Sequence, residues 1–385
     1  LPFADFSFSV PGQVRFGVGI IKQIPDELVK NGINNVLVVS DPGVVKAGLL
    51  AEMFGLFREA GVKFTLFDQV EPNPSVETVM KALEEYRENG CQGMVAFGGG
   101  SPMDVAKAAG VLATNGGELT QYEGVGKFKN PPPPLFAVPT TAGTASEVTP
   151  FAVITHRQTN YKFPVAGPSL IPRVAFLDPV LITTLPPQVA AATGMDALTH
   201  AIESYLSLTA HPFSESMSEK AIFLIGRHLK NFVANRQDLE AAGGMLLASL
   251  FAGIAFGHAR LGLVHAMAHP LGGFFDVPHG MANAVLLPYV MQYNLLADKG
   301  KYPQIARLLG EDLHGLKPEK KAQQAIVAVE NLNKALGIPA KISSVGVKRE
   351  AIPQMAVDTM KSGNVKVNPR QAGVEDIIQL FELAY

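Results

Sequence analysis

Cysteine is almost missing from this 385-residue chain, which carries only Cys91. That excludes a disulfide within the chain and any thiolate-rich zinc or iron–sulfur site. Net charge is nearly missing too: 32 Lys and Arg against 34 Asp and Glu leave −2. No basic field exists to hold a nucleic-acid backbone or an anionic membrane, so neither is expected as a partner. Long apolar runs are also scarce. The most apolar stretch, AAGGMLLASLFAGIAFG at 241–257, is short of the ~20 residues a membrane span needs. His258 and Arg260 follow it at once, and its Gly and Ala suit close packing, so it reads as a helix buried inside a domain. The opening LPFADFSFSVPGQVRFG has no basic segment followed by an apolar one and does not read as a signal peptide. The expected location is cytoplasmic.

What is present is the composition of a folded protein of two domains. Apolar residues make up 47%, and the length exceeds the ~100–200 residues of one domain. The first half alternates β-branched runs with amphipathic stretches. The runs are VRFG, NNVLVVSDPG, VKFTLF, GMVAFGGGS and LFAVPTT, and the stretches include 44–60 and 75–89. That alternation predicts a parallel sheet covered by helices. Ser75 starts a helix after Pro74, Pro131–Pro134 form a stiff loop, and FAVITH, KFPVAG and VAFLD add short strands up to Asp178. After Leu185-Pro186-Pro187 the texture becomes almost wholly helical, in runs separated by Pro and Gly. The fold class is therefore α/β followed by all-α: a Rossmann-like parallel-sheet domain over 1–185 and an all-helical domain over 186–385, with the boundary near 183–188.

VAFGGGSPMDVAKAAG at 95–110 reads as strand, glycine turn and helix. Gly98, Gly99 and Gly100 let backbone approach a ligand, and the open N–H groups of the helix start favour a phosphate; a tight structural turn is the alternative. Ser101 caps the helix in this reading, with Asp104 three residues on as in a capping box, and Pro102 opens the first turn. Asp41 ends the strand VLVVSD, where it can accept from ribose hydroxyls and repel a 2′-phosphate, favouring NAD over NADP. Its alternative role is to cap the turn that follows. PTTAGTASEVT at 139–149 packs five hydroxyl residues into eleven positions and can supply donors to a cofactor.

The histidines carry the sharpest signal. Of nine in the chain, His200 stands four residues after Asp196 in GMDALTHAIESY, and LGLVHAMAHPLGGFFDVPHG holds His265, His269 and His279. A spacing of four puts side chains on one helix face, ~5–6 Å apart. One carboxylate with several imidazoles and no thiolate suits a divalent transition metal such as iron(II), zinc, cobalt, nickel or manganese. Spacing does not decide which of His265, His269 and His279 bind it. Phe151, Phe256, Leu261 and Leu263 either line the cleft, which would suit a short alcohol or aldehyde, or pack in the core.

Together GGGSPMDVAKA, PTTAGTASEVT, DPVLITTLPPQVAAATGMDALTHAIESY, LGLVHAMAHPLGGFFDVPHGMANAVLLPYVMQYN and NPRQ at 368–371 resemble the iron-containing (group III) alcohol dehydrogenase family. The likeness runs over nearly the whole chain and leans to the branch of lactaldehyde reductases, propanediol and small-alcohol dehydrogenases. It implies a metal, iron(II) or else zinc, held by Asp196, His200, His265 and His279 in the cleft between the two domains. His269 then lies near the nicotinamide as a candidate catalytic proton relay. It implies NAD contacts from Asp41, Asn73, Gly99, Gly100, Ser101, Thr140, Thr141, Thr144 and Lys162, and a homodimer or larger homo-oligomer. The implied reaction passes hydride between a short primary alcohol or diol and the nicotinamide, with the metal polarising the alcohol or aldehyde oxygen. The rival readings are a polyol dehydrogenase, a dehydroquinate-synthase-like cyclase, a metal-dependent hydrolase without a nucleotide, and a non-catalytic binding protein.

Overall fold

In the computed structural model, which describes residues 6–9, 12–159 and 161–385, the β-branched runs of the first half become strands of a parallel sheet. Residues 1–5, 10 and 11 of the opening stretch lie outside the described residues. The chain divides into two units, Val10–Leu185 and Pro186–Tyr385, the latter joined by Leu1–Ser9.

In the first unit the strands are β1 (Gln13–Phe16), β2 (Asn35–Val39), β3 (Lys63–Phe67), β4 (Gly93–Gly98), β5 (Gly124–Val125), β6 (Leu135–Pro139), β7 (Phe151–His156), β8 (Tyr161–Ala166) and β9 (Val174–Leu177). The main sheet has the order β1-β9-β6-β4-β2-β3, parallel throughout. Its helices are α1 (Ile24–Lys30), α2 (Pro42–Lys46), α3 (Leu50–Glu59), α4 (Val76–Glu88) and α5 (Gly100–Asn115). Val36 and Val38 pack into one core with Phe57 of α3, while Leu37 and Val39 pack into another with Ala82 of α4 and Val105 of α5. With both faces covered, the inner strands β4, β6 and β9 are buried and apolar without interruption rather than alternating.

Two details depart from the sequence reading. The amphipathic stretch 44–60 is not one helix: it divides into α2 and α3 around Gly48, whose φ of +72° is left-handed. FAVITH and KFPVAG do not enter the main sheet. As β7 and β8 they form an antiparallel pair, joined by the two-residue β5 in a separate three-stranded sheet.

The strand order also locates a ligand crevice. The chain leaves β2 for β3 on one side and returns to β4 on the other. In open parallel sheets, ligands bind beyond the carboxyl ends of the strands at this reversal. Asp41 follows β2, and the glycine turn follows β4.

The second unit is helical: α6 (Pro187–Leu206), α7 (Pro212–Ala234), α8 (Leu239–Ala259), α9 (Leu263–Phe275), α10 (His279–Asn294), α11 (Tyr302–Leu308), α12 (Pro318–Ala335), α13 (Ile352–Thr359) and α14 (Val374–Ala384). Pro in the first turn starts α6, α7, α11 and α12, where its missing N–H costs no bond. Helix α8 is long and apolar enough to cross a membrane, yet it packs on α6 and α7 and is mostly buried. Its Gly244 allows that approach, since a Cβ there would stand 2.3 Å from His228 Cδ2. Phe6 and Phe8 account for the N-terminal segment grouping with this unit. Phe6 stacks on His211 at 4.4 Å, Phe8 stacks on Phe213 at 4.8 Å, and the Ser9 carbonyl meets His258 Nε2 at 2.9 Å.

Candidate functional site

Three helices of the second unit converge on Asp196. The i, i+4 spacing on α6 brings His200 Nε2 to 3.9 Å from Asp196 Oδ1. His265 of α9 stands 3.7 Å from the same oxygen, and His279, first residue of α10, 3.8 Å. Close approach of α10 depends on Gly280, where a Cβ would fall 2.4 Å from the Ala192 carbonyl oxygen. Three imidazole nitrogens near 3.8 Å from one carboxylate oxygen are too far for hydrogen bonds. They match a shared ion: ligand atoms ~2.1 Å from a tetrahedral centre stand about 3.4 Å apart. One ligand atom each of Asp196, His265 and His279 lies within 4.8 Å of the others.

Asn283 of α10 reports the same point in space. Its Nδ2 lies 2.7 Å from Asp196 Oδ1, 3.0 Å from His265 Nε2 and 3.1 Å from His279 Nε2, while its own Oδ1 is buried without a partner. An N–H donor surrounded by three acceptor atoms stands where a cation would be attracted, so the donor set fits a metal. Burial, followed by the charges of His200, His279 and His269, holds His265 well below the usual imidazole range, the neutral form a metal requires.

Around these groups, Phe256 stacks on His200 at 4.5 Å, and His200 stacks on His265 at 4.6 Å. His269 is half-buried, with its ring 5.8 Å from that of His279. Leu263 is fully buried and packs in the core. Glu203, one turn beyond His200, accepts from Val264 N–H at 2.6 Å and meets His265 Nδ1 at 2.5 Å. Burial pushes the Glu203 carboxyl up to about 8, against the pull of the N–H groups of Gly262, Val264 and His265.

The first unit gathers most of the expected nucleotide residues at its crevice. Asp41 Oδ1 caps α2, accepting from Gly43 and Val44 N–H at 2.9 and 3.0 Å. Its Oδ2 faces the glycine turn, 3.1 Å from where a Gly98 Cβ would be. The cap therefore uses one carboxylate oxygen, and the other is directed at the glycine turn. A Cβ on Gly99 would stand 3.4 Å from Thr141, and one on Gly100 3.0 Å from Thr144, so the turn and the 139–149 loop lie against each other. Thr140 N–H donates to Gly98 O at 3.0 Å. Lys162 donates to Asn73 Oδ1 at 2.8 Å.

The expected cap on α5 is corrected. The helix begins at Gly100 with Gly99 as N-cap and no side-chain cap, which puts Ser101 and Pro102 inside the first turn. Asp104 instead reaches across to Ser146 Oγ at 2.9 Å and Val153 N–H at 3.0 Å. The uncapped N–H groups of that turn stay open to a ligand.

Beneath the loop lies Lys107, 1% exposed. Its ammonium donates to Ser146 O, Ser146 Oγ, Thr149 O and Phe151 O at 2.7–2.9 Å. Burial pulls Lys107 down to about 8 and pushes Glu147 up to about 7, each opposed by the other's charge.

Comparison with known proteins follows this geometry. A family model for iron-containing alcohol dehydrogenase matches residues 11–179, and one for the C-terminal part of the Fe-containing alcohol dehydrogenase family matches residues 190–385. The chain is 43% identical over 387 residues to a 1,3-propanediol dehydrogenase of Klebsiella pneumoniae, covering 100% of both. It is 38% identical over 378 residues to an NAD-dependent methanol dehydrogenase of Bacillus methanolicus, covering 98% of this chain and 99% of that one. Against the crystal structure of a 1,3-propanediol oxidoreductase the TM-score is 0.97 at 43% identity, covering 99% and 100% of the two chains. With a parallel-sheet unit, a helical unit and both family models matched, the chain belongs to the iron-containing alcohol dehydrogenase family of oxidoreductases.

Proposed function

We propose that the chain is an NAD-linked reductase and dehydrogenase of short primary alcohols, diols and their aldehydes, with one divalent metal, iron(II), held by Asp196, His200, His265 and His279. The observation that carries this is the set of three imidazole nitrogens at 3.7, 3.8 and 3.9 Å from Asp196 Oδ1. The substrate class is supported by the propanediol and methanol dehydrogenases the chain resembles, and NAD by the latter's dependence on it. A nicotinamide-dependent enzyme works where the pyridine nucleotide pool is, which fits the cytoplasm.

When bound, the metal supplies Lewis acidity at the substrate oxygen, and the nicotinamide gives or takes hydride. The chain's own residues do the positioning. The open first turn of α5 and the hydroxyls of Thr140, Thr141 and Thr144 hold the pyrophosphate. Asp41 Oδ2 accepts from the ribose, and the Lys162–Asn73 pair adds a polar contact. His269 exchanges the hydroxyl proton with solvent, because an imidazole carries both a donor and an acceptor nitrogen and this one is only half-buried.

The test is anaerobic reconstitution of the apo-protein with iron(II) or zinc(II), assayed with NAD and NADP against short alcohols, 1,2- and 1,3-diols and glycerol. Failure to form reduced cofactor in any combination overturns the dehydrogenase reading. Asp41→Asn separates the two roles of that side chain, because the amide oxygen still caps α2 while the charge is gone. The variant is expected to keep its thermal stability and lose about tenfold in NAD preference over NADP, read as the ratio of kcat/KM values. Equal use of both cofactors by the wild type would remove the role given to Asp41.

A further inference from the structure

Helix α9 carries His265 and His269, yet its own N-cap is Gly262, which has no side chain to offer. The orphan N–H groups of its first turn are met from outside. Leu263 N–H donates to Asn368 Oδ1 at 3.2 Å, and Val264 N–H to Glu203 Oε1 at 2.6 Å. Both partners are buried and distant in sequence, one on α6 and the other in the NPRQ stretch. Gly262 makes this possible, since a Cβ there would stand 2.9 Å from Glu203 Oε1 and 3.1 Å from Asn368 Oδ1.

Each partner is itself fixed to an element that bears a ligand. Asn368 exchanges amide hydrogen bonds with Asn294, the last residue of α10, at 2.8 and 3.1 Å. Arg370 covers the Tyr293 ring at 3.8 Å and donates to the Tyr293 carbonyl at 3.0 Å. The NPRQ stretch thus buckles the start of α9 to the end of α10. Glu203 uses both oxygens, Oε1 on the backbone and Oε2 on His265 Nδ1 at 2.5 Å. For His265 Nε2 to present its lone pair to a metal, Nδ1 must carry the proton and needs an acceptor beside it.

We propose that Glu203 and Asn368 are positioning residues for the metal: a two-part external cap that sets the start of α9, with Glu203 also fixing the ring orientation and tautomer of His265. Neither is among the residues proposed above to contact the substrate or the cofactor. The inference rests on the ligand assignment proposed above, and its test separates the two.

Apo-protein is titrated with zinc(II) against a chelating dye, and thermal unfolding of the apo-protein is recorded in parallel. Glu203→Gln offers one acceptor where two are needed and is expected to weaken zinc about ten- to hundredfold. Glu203→Asp retains the carboxyl group with its two oxygens but is too short to reach both partners, and Gly262→Ala displaces an intact Glu203; both are expected to weaken zinc without removing any donor. Asn368→Ala is expected to weaken zinc less. Its effect combined with Glu203→Gln should be less than additive, because both act on one helix end. Wild-type zinc affinity in Glu203→Gln and Gly262→Ala overturns the proposal while leaving the ligand assignment intact. Losses that only track a lower apo melting temperature reduce both residues to structure and overturn it equally. A wild type that binds no zinc overturns the ligand assignment instead.

Discussion

His265→Ala is expected to lose metal and activity together, whereas His269→Ala retains the metal and turns over slowly. The two residues are one helical turn apart on α9, and spacing alone does not separate them. Geometry does. His265 is 2% exposed, 3.7 Å from Asp196 Oδ1 and stacked on His200. Removing its ring deletes a donor and strands the Glu203 oxygen that met Nδ1 at 2.5 Å. Lewis-acid stabilisation is worth several kcal/mol, and each ~1.4 kcal/mol is tenfold in rate, so kcat is expected to fall by about 1,000-fold or more.

His269 is half-buried, with its ring 5.8 Å from that of His279, whereas the His200 and His265 rings stack at 4.6 Å. Its loss removes a proton-transfer group, for which about 100-fold is the lower end of the usual range. Metal content by plasma emission, measured beside kcat and its pH profile, decides the matter. A metal-free His269→Ala protein would mean that the ligand set is wrong.

Much of this site was legible in the sequence, for a local reason. Asp196 and His200, or His265 and His269, share a helix face by spacing alone, and the Pro and Gly punctuation marks out the helices that bear them. Asp41 and the glycine turn were legible because both follow β-branched runs that could only be strands. What escaped were groups whose meaning depends on partners far along the chain. Glu203 lies within the quoted GMDALTHAIESY, but its contact with Val264 and His265 spans about sixty residues. Asn283 follows His279 by four residues, yet its contacts with Asp196 and His265 exist only once α6, α9 and α10 converge. The capping-box reading of SPMD failed for a related reason. Its spacing was right, but tertiary contacts with Ser146 and Val153 took Asp104, and the helix started earlier, at Gly100. Local pattern favours the nearest partner; packing can supply a better one.

Lys107→Met tests the strongest of those long-range networks. Met matches the length and apolar stem of Lys but donates nothing. Four oxygens that share the three N–H groups of Lys107, Ser146 O, Ser146 Oγ, Thr149 O and Phe151 O, lose that contact. Asp104 and Glu147 also lose the cation that holds their pKa values down against burial. Removing one member of a buried charged network costs about 3–5 kcal/mol. In a unit of this size that corresponds to a melting temperature lower by roughly 6–20 °C. Arg is not expected to rescue it, because a planar guanidinium cannot place its donors on the same four atoms in a site 1% exposed. The loop that Lys107 clamps also carries Thr144 against the glycine turn, so NADH binding should weaken in whatever fraction remains folded. Metal content should not change, since every proposed ligand lies in the other unit. Calorimetry, NADH fluorescence titration and metal analysis on one preparation separate these effects. A melting temperature within 2 °C of wild type together with unchanged NADH affinity would show that the loop holds its shape without the ammonium.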